Sequence, residues 1–383
     1  MNISKPTLCV IHEAISHDSA IAKIALLDVR TALDAGWEIS VVAKILDPSL
    51  RDRVNWLRLT VPPRGFILKW LTARHFIRSA LGHRSFDVIH AHQPQVADLA
   101  DVYQCHFLTR AAYERNCLES RPGLRPKLIR LQQQGVLHAE DRFYRRWNPE
   151  THMLFCSDLL RQEFAHLYGM PPRQQVLANP CPPVNFATDA ERRAARQRWV
   201  GDHNGIVLGY LGGVEERKGY KQILQALQGQ RDIFFLMGGA YTEGFVDPNL
   251  RDHMKSVGMV LDTASFYAAC DVLVVPSLFD PFALVVCEAA ARGTPVIATE
   301  SVGALASLLE HGAGLAWRQG DSLADLARQA AGQREKFNAG ARRLAEALSE
   351  QEHGRQLMAV YEMVLRGKRI AAAPATKASA CAL

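Results

Sequence analysis

Residues 278–299, LFDPFALVVCEAAARGTPVIAT, hold two acids eight positions apart, Asp280 and Glu288, in sequence that is otherwise almost purely apolar. The residues before them, DVLVVPS (271–277), read as a fully buried strand, and TPVIAT (294–299) as a second. The helix between is expected to open with Asp280 at its N-cap and Pro281 at its first position, places that suit both residue types. Capping explains Asp280 and leaves Glu288 unexplained. A carboxylate flanked by Val286, Cys287, Ala289 and Ala290 would be costly if buried without a partner. At a rise of ~1.5 Å per residue the acids would stand roughly 12 Å apart along the helix. Between them the unpaired N–H groups of Phe282, Ala283 and Leu284 form an anion-binding helix end. Two carboxylates flanking a phosphate seat suit an elongated ligand, with hydroxyls at one end and a ribose at the other.

The same alternation runs outward in both directions. Downstream of residue 204 come GIVLGYLGG, helical YKQILQALQG, DIFFLMGG, helical TASFYAACD and, after the quoted stretch, helical ALASLLEHG and GLAWR. The first half repeats the scheme with TLCVIHEA, helical DSAIAKIALLDVRTALDAG, EISVVAKIL, NWLRLTV, FDVIHAH, DVYQCHF, THMLFCS, helical SDLLRQEFAHLYG and QQVLANP. Short apolar runs alternating with helices mean parallel strands joined by crossover helices. Between the halves, NPCPPVNF (179–186) carries three prolines and reads as a linker. The expected architecture is α/β: two Rossmann-like domains, 1–183 and 184–350, whose parallel sheets face across a cleft. A C-terminal helix and a frayed alanine-rich tail follow over 351–383. Ligands in such sheets sit at the carboxyl ends of the strands.

Length and composition agree with this. The 383 residues are 48% hydrophobic and 22% charged, enough for two cores and unlike a disordered chain. No run of 18 uncharged apolar residues is present, and the start, MNISKPTLCVIHEA, lacks the plan of a secretory leader. A cytoplasmic location is expected. The eight cysteines show no C-x-x-C spacing and read as reduced, buried small residues; the fourteen histidines do not group as ligands in the sequence. With no D-x-D pair either, no metal and no cofactor is expected. The formal charge of +6 is concentrated in the first half, in 61–84 and 121–147. In the former, Phe66, Trp70, Phe76 and Ile77 accompany Lys69, Arg74 and Arg78. That mixture suits an anionic membrane surface, and ordinary basic helices over a core would look the same.

A second phosphate feature stands in GYLGGVEERKGYKQILQAL (209–227), where a glycine turn leads to Arg217, Lys218 and Gly219 at a helix start. Two cations beside a helix N-terminus supply charge and donors to a diphosphate. Over 206–315 the order and spacing of these blocks resemble the retaining family 4 glycosyltransferases of GT-B fold, the glycosyl transferases group 1. Asp280 and Glu288 take the two acidic positions of that family's E-x7-E block, and 209–219 resembles its phosphate-binding turn. The first half matches in pattern only, with His106 where the family often has a histidine facing the cleft.

The resemblance implies a metal-independent transfer of a sugar, with retention, from a nucleotide diphosphate donor, UDP first among bases. Glu288 would hold the ribose and Asp280 the sugar hydroxyls. Arg217 and Lys218 would hold the leaving diphosphate together with the helix end at Phe282, Ala283 and Leu284. His106 would face the reacting sugar. Three departures stand out: an Asp in the first acidic position, Ala283 in place of a usual glycine, and Gly213 where many members carry an arginine. The Arg217-Lys218-Gly219 arrangement resembles the lipopolysaccharide core glucosyltransferase branch. A glycan or lipid-linked glycan acceptor at the inner face of the inner membrane is implied, and no nucleic acid. His12, Glu13 and His17, in the first loop, are candidates for the acceptor side. Two alternatives remain open: a nucleotide-binding protein of the same fold without transferase activity, and a nicotinamide-dependent oxidoreductase. The latter needs G-x-G-x-x-G directly after a strand, which MGGAYTEG (237–244) does not provide.

Overall fold

The computed structural model describes residues 5–60, 66–115, 117 and 126–372. Its first sheet is built from β1 (Thr7–Ile11), β2 (Glu38–Ala43), β3 (Asn55–Arg58), β4 (Val88–Ala91), β5 (Val102–Cys105), β6 (His152–Phe155) and β7 (Gln174–Val176), in the order β3-β2-β1-β4-β5-β6-β7. The second contains β8 (Ile206–Leu211), β9 (Ile233–Gly238), β10 (Met254–Ser256), β11 (Val272–Val275), β12 (Val296–Thr299) and β13 (Gly314–Trp317), ordered β10-β9-β8-β11-β12-β13. Every pairing in both is parallel. Strands covered on both faces must be apolar throughout, and Leu8, Cys9, Val10 and Ile11 are accordingly all fully buried. In each sheet the first strand lies where the order reverses, the place at which such sheets receive ligands.

The last helix returns to the first half. The helix Ala20–Asp34 (α1), capped by the Ser19 hydroxyl accepting from Ala22 N, packs against Glu350–Ala372, whose Leu357, Val360 and Tyr361 join the core beneath the first sheet. The proline-rich segment between the sheets is anchored to its neighbours, with Cys181 N donating to Leu348 O at 2.7 Å and Asn185 N to Ala291 O at 2.9 Å.

Four expectations need correction. The helix of the opening stretch runs from Leu284 to Ala291, three residues later than expected, with Ala283 rather than Asp280 as its N-cap residue. Asp280 is instead tied into a bridge with Val302, its N–H donating to Ser301 O and its carbonyl accepting from Gly303 N, each at 2.9 Å. Those two bonds hold its backbone extended. Cys181 and Cys287 form a disulfide, against the expectation of reduced thiols throughout; 106 residues separate them in sequence, so no local spacing reveals the pair. Strand β10 was not foreseen, because its three residues have no apolar run.

The fourth correction concerns the basic stretches. Residues 61–65 and 121–125 lie outside the described residues, as do the side chains of Phe66, Lys69 and Trp70 and the tail beyond 372. In the helix Phe66–Leu81 (α2 in chain order), Ile77 is fully buried, Phe76 packs on the core, and Arg74 forms a two-pronged pair with Asp98. Those three are structural. Arg78 and Arg84 remain exposed, as do Arg142, Arg145 and Arg146 in and after Pro126–Tyr144 (α3).

Ala283 adopts φ +66°, a left-handed conformation that a side chain disfavours. Ala283→Gly is therefore expected to raise stability by about 0.5–1 kcal/mol, since the relief of strain exceeds the extra freedom glycine brings to the unfolded chain. Equilibrium urea unfolding reads this directly; a destabilised variant would show that the buried methyl matters more than the backbone.

Candidate active site

The turn after β8 follows from two glycines. After β8 the chain passes Gly213 at φ +79°, where a Cβ would stand 2.7 Å from Ala240 O. An arginine at this position would clash with that carbonyl, which accounts for the departure noted at Gly213. A short 3-10 turn, Glu216–Lys218, then leads to Gly219 at φ +71°, where a Cβ would lie 1.9 Å from Pro276 O. This close approach presses the turn onto the exit of β11, and Leu278 N donates to Arg217 O at 2.8 Å. The helix Tyr220–Ala226 (α4) starts immediately after.

That approach brings together residues 62 positions apart. Lys218 Nζ lies 2.8 Å from Asp280 Oδ2, and the Arg217 guanidinium is 3.7 Å from the same oxygen while donating to Phe279 O at 3.1 Å. Asp280, only 7% exposed, accepts from Phe282 N through Oδ1 at 3.3 Å. It thus belongs to the cation cluster as well as to the turn before the helix Leu284–Ala291 (α5). The Phe282 amide, expected to be unpaired, is thus taken up by Asp280, because the helix starts three residues later; the first amides of α5, at Leu284 and Val285, have no acceptor among the described residues.

Helix α5 is buried except along one stripe. Leu284, Val285 and Glu288 are its partly exposed residues, on adjacent turns of one face. The Glu288 carboxylate accepts a 2.7 Å hydrogen bond from the Tyr267 hydroxyl. This is the partner that the sequence left unidentified. Burial, then the adjacent carboxylate, pushes the Tyr267 phenol well above its usual pKa, so it stays a donor.

The first half closes the site. Phe107, next to His106 at the end of β5, sets its ring 5.7 Å from that of Phe279 and beneath the Arg217 guanidinium at 5.5 Å. Ser157, after β6, donates to Pro281 O at 2.5 Å. The carboxyl ends of strands from both sheets therefore meet around Asp280. His106 Nε2 lies 2.9 Å from His92 Nδ1. Burial, followed by His92 and His12, holds its pKa well below the usual histidine range.

His12 lies by the same group, its ring 6.0 Å from that of His92 and its Nδ1 2.6 Å from Ala14 O. Burial, with His92 assisting, lowers it to about 4. Glu13 is half-buried, with its carbonyl accepting the Lys44 and Ile45 amides. His17 sits at the surface 3.7 Å from Asp47 and is not brought to His106. Missed by sequence reasoning were Asp28, His90, His92 and His353, which converge in the interior. The reading of ungrouped histidines is corrected here: Asp28, His90 and His92 offer ligand atoms within 4.8 Å of one another. The only sequence signal was an acid on the apolar face of α1.

Two parallel sheets of like order, meeting at their carboxyl ends around paired cations and acids, define the GT-B glycosyltransferase fold. Residues 205–332 match the family model described as Glycosyl transferases group 1. The chain is 28% identical over 315 residues to a D-inositol 3-phosphate glycosyltransferase of Geodermatophilus obscurus, covering 73% of this chain and 66% of that one. The chain therefore spans just under two thirds of that relative. In structure it is similar to WaaG, a glycosyltransferase involved in lipopolysaccharide biosynthesis, with TM-score 0.67, 15% identity and coverage of 93% and 99%. It is also similar to Anabaena Alr3699/HepE in complex with UDP and glucose, with TM-score 0.65, 16% identity and coverage of 95% and 100%.

Proposed function

We propose that this protein transfers a sugar, with retention, from a nucleotide diphosphate donor, UDP-sugar first, to a glycan or lipid-linked glycan. The observation that carries the reading is the meeting of Lys218, Arg217 and Asp280 at the entrance of α5, with Glu288 one side of the same helix. Breaking the anomeric C–O bond builds negative charge on the departing diphosphate. Lys218, Arg217 and the α5 amides stabilise that charge where it forms, without a metal. Asp280 orients the donor-sugar hydroxyls, Glu288 holds the ribose, and a front-face route assisted by the leaving group needs no enzymic nucleophile.

A thermal-shift screen across UDP, GDP and ADP sugars identifies the donor, since a ligand that binds only the folded state raises its stability by mass action. Product NMR then reads the anomer, and an inverted product or a rate abolished by chelator would defeat the retaining or metal-free part. The name of the curated relative favours a second acceptor class, a small polyol phosphate; acceptor competition separates the two.

Attachment to the inner face of the cytoplasmic membrane rests on Arg78, Arg84, Arg142, Arg145 and Arg146, the exposed cations among the described residues of the two basic stretches. No described helix is long and apolar enough to cross a bilayer. At about 1 kcal/mol for each basic residue near an anionic surface, several must act together. Co-sedimentation with anionic vesicles should fall on adding salt. Equal binding to neutral vesicles would contradict this attachment.

A further inference from the structure

The histidines behind His106 specify one another's protons. Asp28, on α1, is fully buried, and its Oδ1 lies 3.0 Å from Nε2 of His353, on the C-terminal helix. Nδ1 of the same ring lies 3.0 Å from Ala178 O. A carbonyl and a carboxylate can only accept, so both His353 nitrogens carry protons and the ring neutralises Asp28. On the other side Asp28 Oδ2 faces His92 Nε2 at 3.3 Å, and neither atom has a hydrogen-bond partner among the described residues. Two facing lone pairs would repel, so Nε2 of His92 carries the proton. Placing a second cation beside one already neutralised carboxylate, against the fully buried His90, would leave a charge uncompensated. His92 is therefore neutral and its Nδ1 is bare.

That bare nitrogen lies 2.9 Å from His106 Nε2, with the two ring planes within 13°. It can only accept, so the proton between the rings belongs to His106. We propose that His92 is a positioning residue: it locks His106 with its single proton on Nε2 and leaves Nδ1 as a hydrogen-bond acceptor for a hydroxyl of the bound sugar. Nδ1 has no partner among the described residues, and His106 is half-buried beside the Phe107–Arg217–Phe279 contact. The role of the acceptor rests on the transferase reading above; the tautomer does not.

The test is a two-bond proton–nitrogen correlation spectrum of the histidines in the full chain near neutral pH, with and without prior chelator treatment. His106 is expected as the neutral Nε2–H tautomer in both. His92→Phe should lose that preference and lower kcat ~10-fold or more, the scale of one hydrogen bond in the transition state, with UDP affinity unchanged. His92→Asn, whose amide oxygen can accept at the same place, should recover most of both. A proton on His106 Nδ1, or a doubly protonated ring, would overturn the proposal even if His92→Phe fails to fold. Stoichiometric metal in the purified protein, with His92 signals that move on chelation, would also overturn it, because a metal on Nε2 forces the proton onto Nδ1. Absence of turnover with every nucleotide sugar would defeat the transferase reading alone, while the spectrum still decides the tautomer.

Discussion

Asp280→Asn is expected to lower turnover by ~10²-fold or more, the scale of losing a positioned electrostatic group. The side chain has two demands on it. Oδ1 accepts from Phe282 N, which an amide oxygen can reproduce, whereas Oδ2 faces Lys218 at 2.8 Å and Arg217 at 3.7 Å, which it cannot. The variant should therefore lose about 1–2 kcal/mol of stability from a broken, partly buried ion pair. Had Asp280 been only a helix cap, the change would have been nearly neutral. UDP affinity should hold or tighten, because Lys218 is released toward the diphosphate. Collapse of turnover with nucleotide binding intact cannot come from misfolding. Glu288→Gln provides the contrast: a ribose contact acts alike in ground and transition states, so donor binding should weaken more than kcat falls. Normal turnover in Asp280→Asn, with only earlier melting, would make the residue structural and the mechanism wrong.

Lys218→Ala and Arg217→Ala should each weaken UDP binding by ~1.5–3 kcal/mol, roughly 10- to 150-fold, the range for loss of a charge-assisted hydrogen bond. They touch one carboxylate, so the double variant should depart from additivity. The two differ in what else they hold. Arg217 also stacks on Phe107 and donates to Phe279 O, joining the first half to the second. Its loss should lower the melting temperature as well, while Lys218→Ala should act mainly on the ligand. Calorimetry showing unchanged UDP affinity in both variants would return them to the protein's own ion pairing.

Much of the architecture was legible in the order of residues because its causes are local. Strands buried on both faces must be continuous apolar runs, and crossover helices must carry their own stripe, so β1, β8 and β11 announced themselves. The turn after β8 was legible for a similar reason: Gly213 and Gly219 occupy left-handed backbone that few other residues tolerate. That Asp280 and Glu288 have partners could be read because acids in apolar sequence demand them.

The identity of those partners was decided by packing alone. Tyr267 reaches Glu288 across 21 residues, Lys218 reaches Asp280 across 62, and His353 reaches Asp28 across 325. No spacing encodes such pairs; they exist because crossover helices and a returning C-terminal helix place distant side chains against the same strand ends. The start of α5 was misjudged from sequence because Asp-Pro is an ideal helix opening by local preference. In the folded chain Ser301 and Gly303 claim the backbone of Asp280 from the neighbouring loop, and those two hydrogen bonds outweigh a cap. The proton on His106 lies furthest from the sequence, since the proposed tautomer is set through His92 by a carboxylate on α1, 78 positions away (106 − 28).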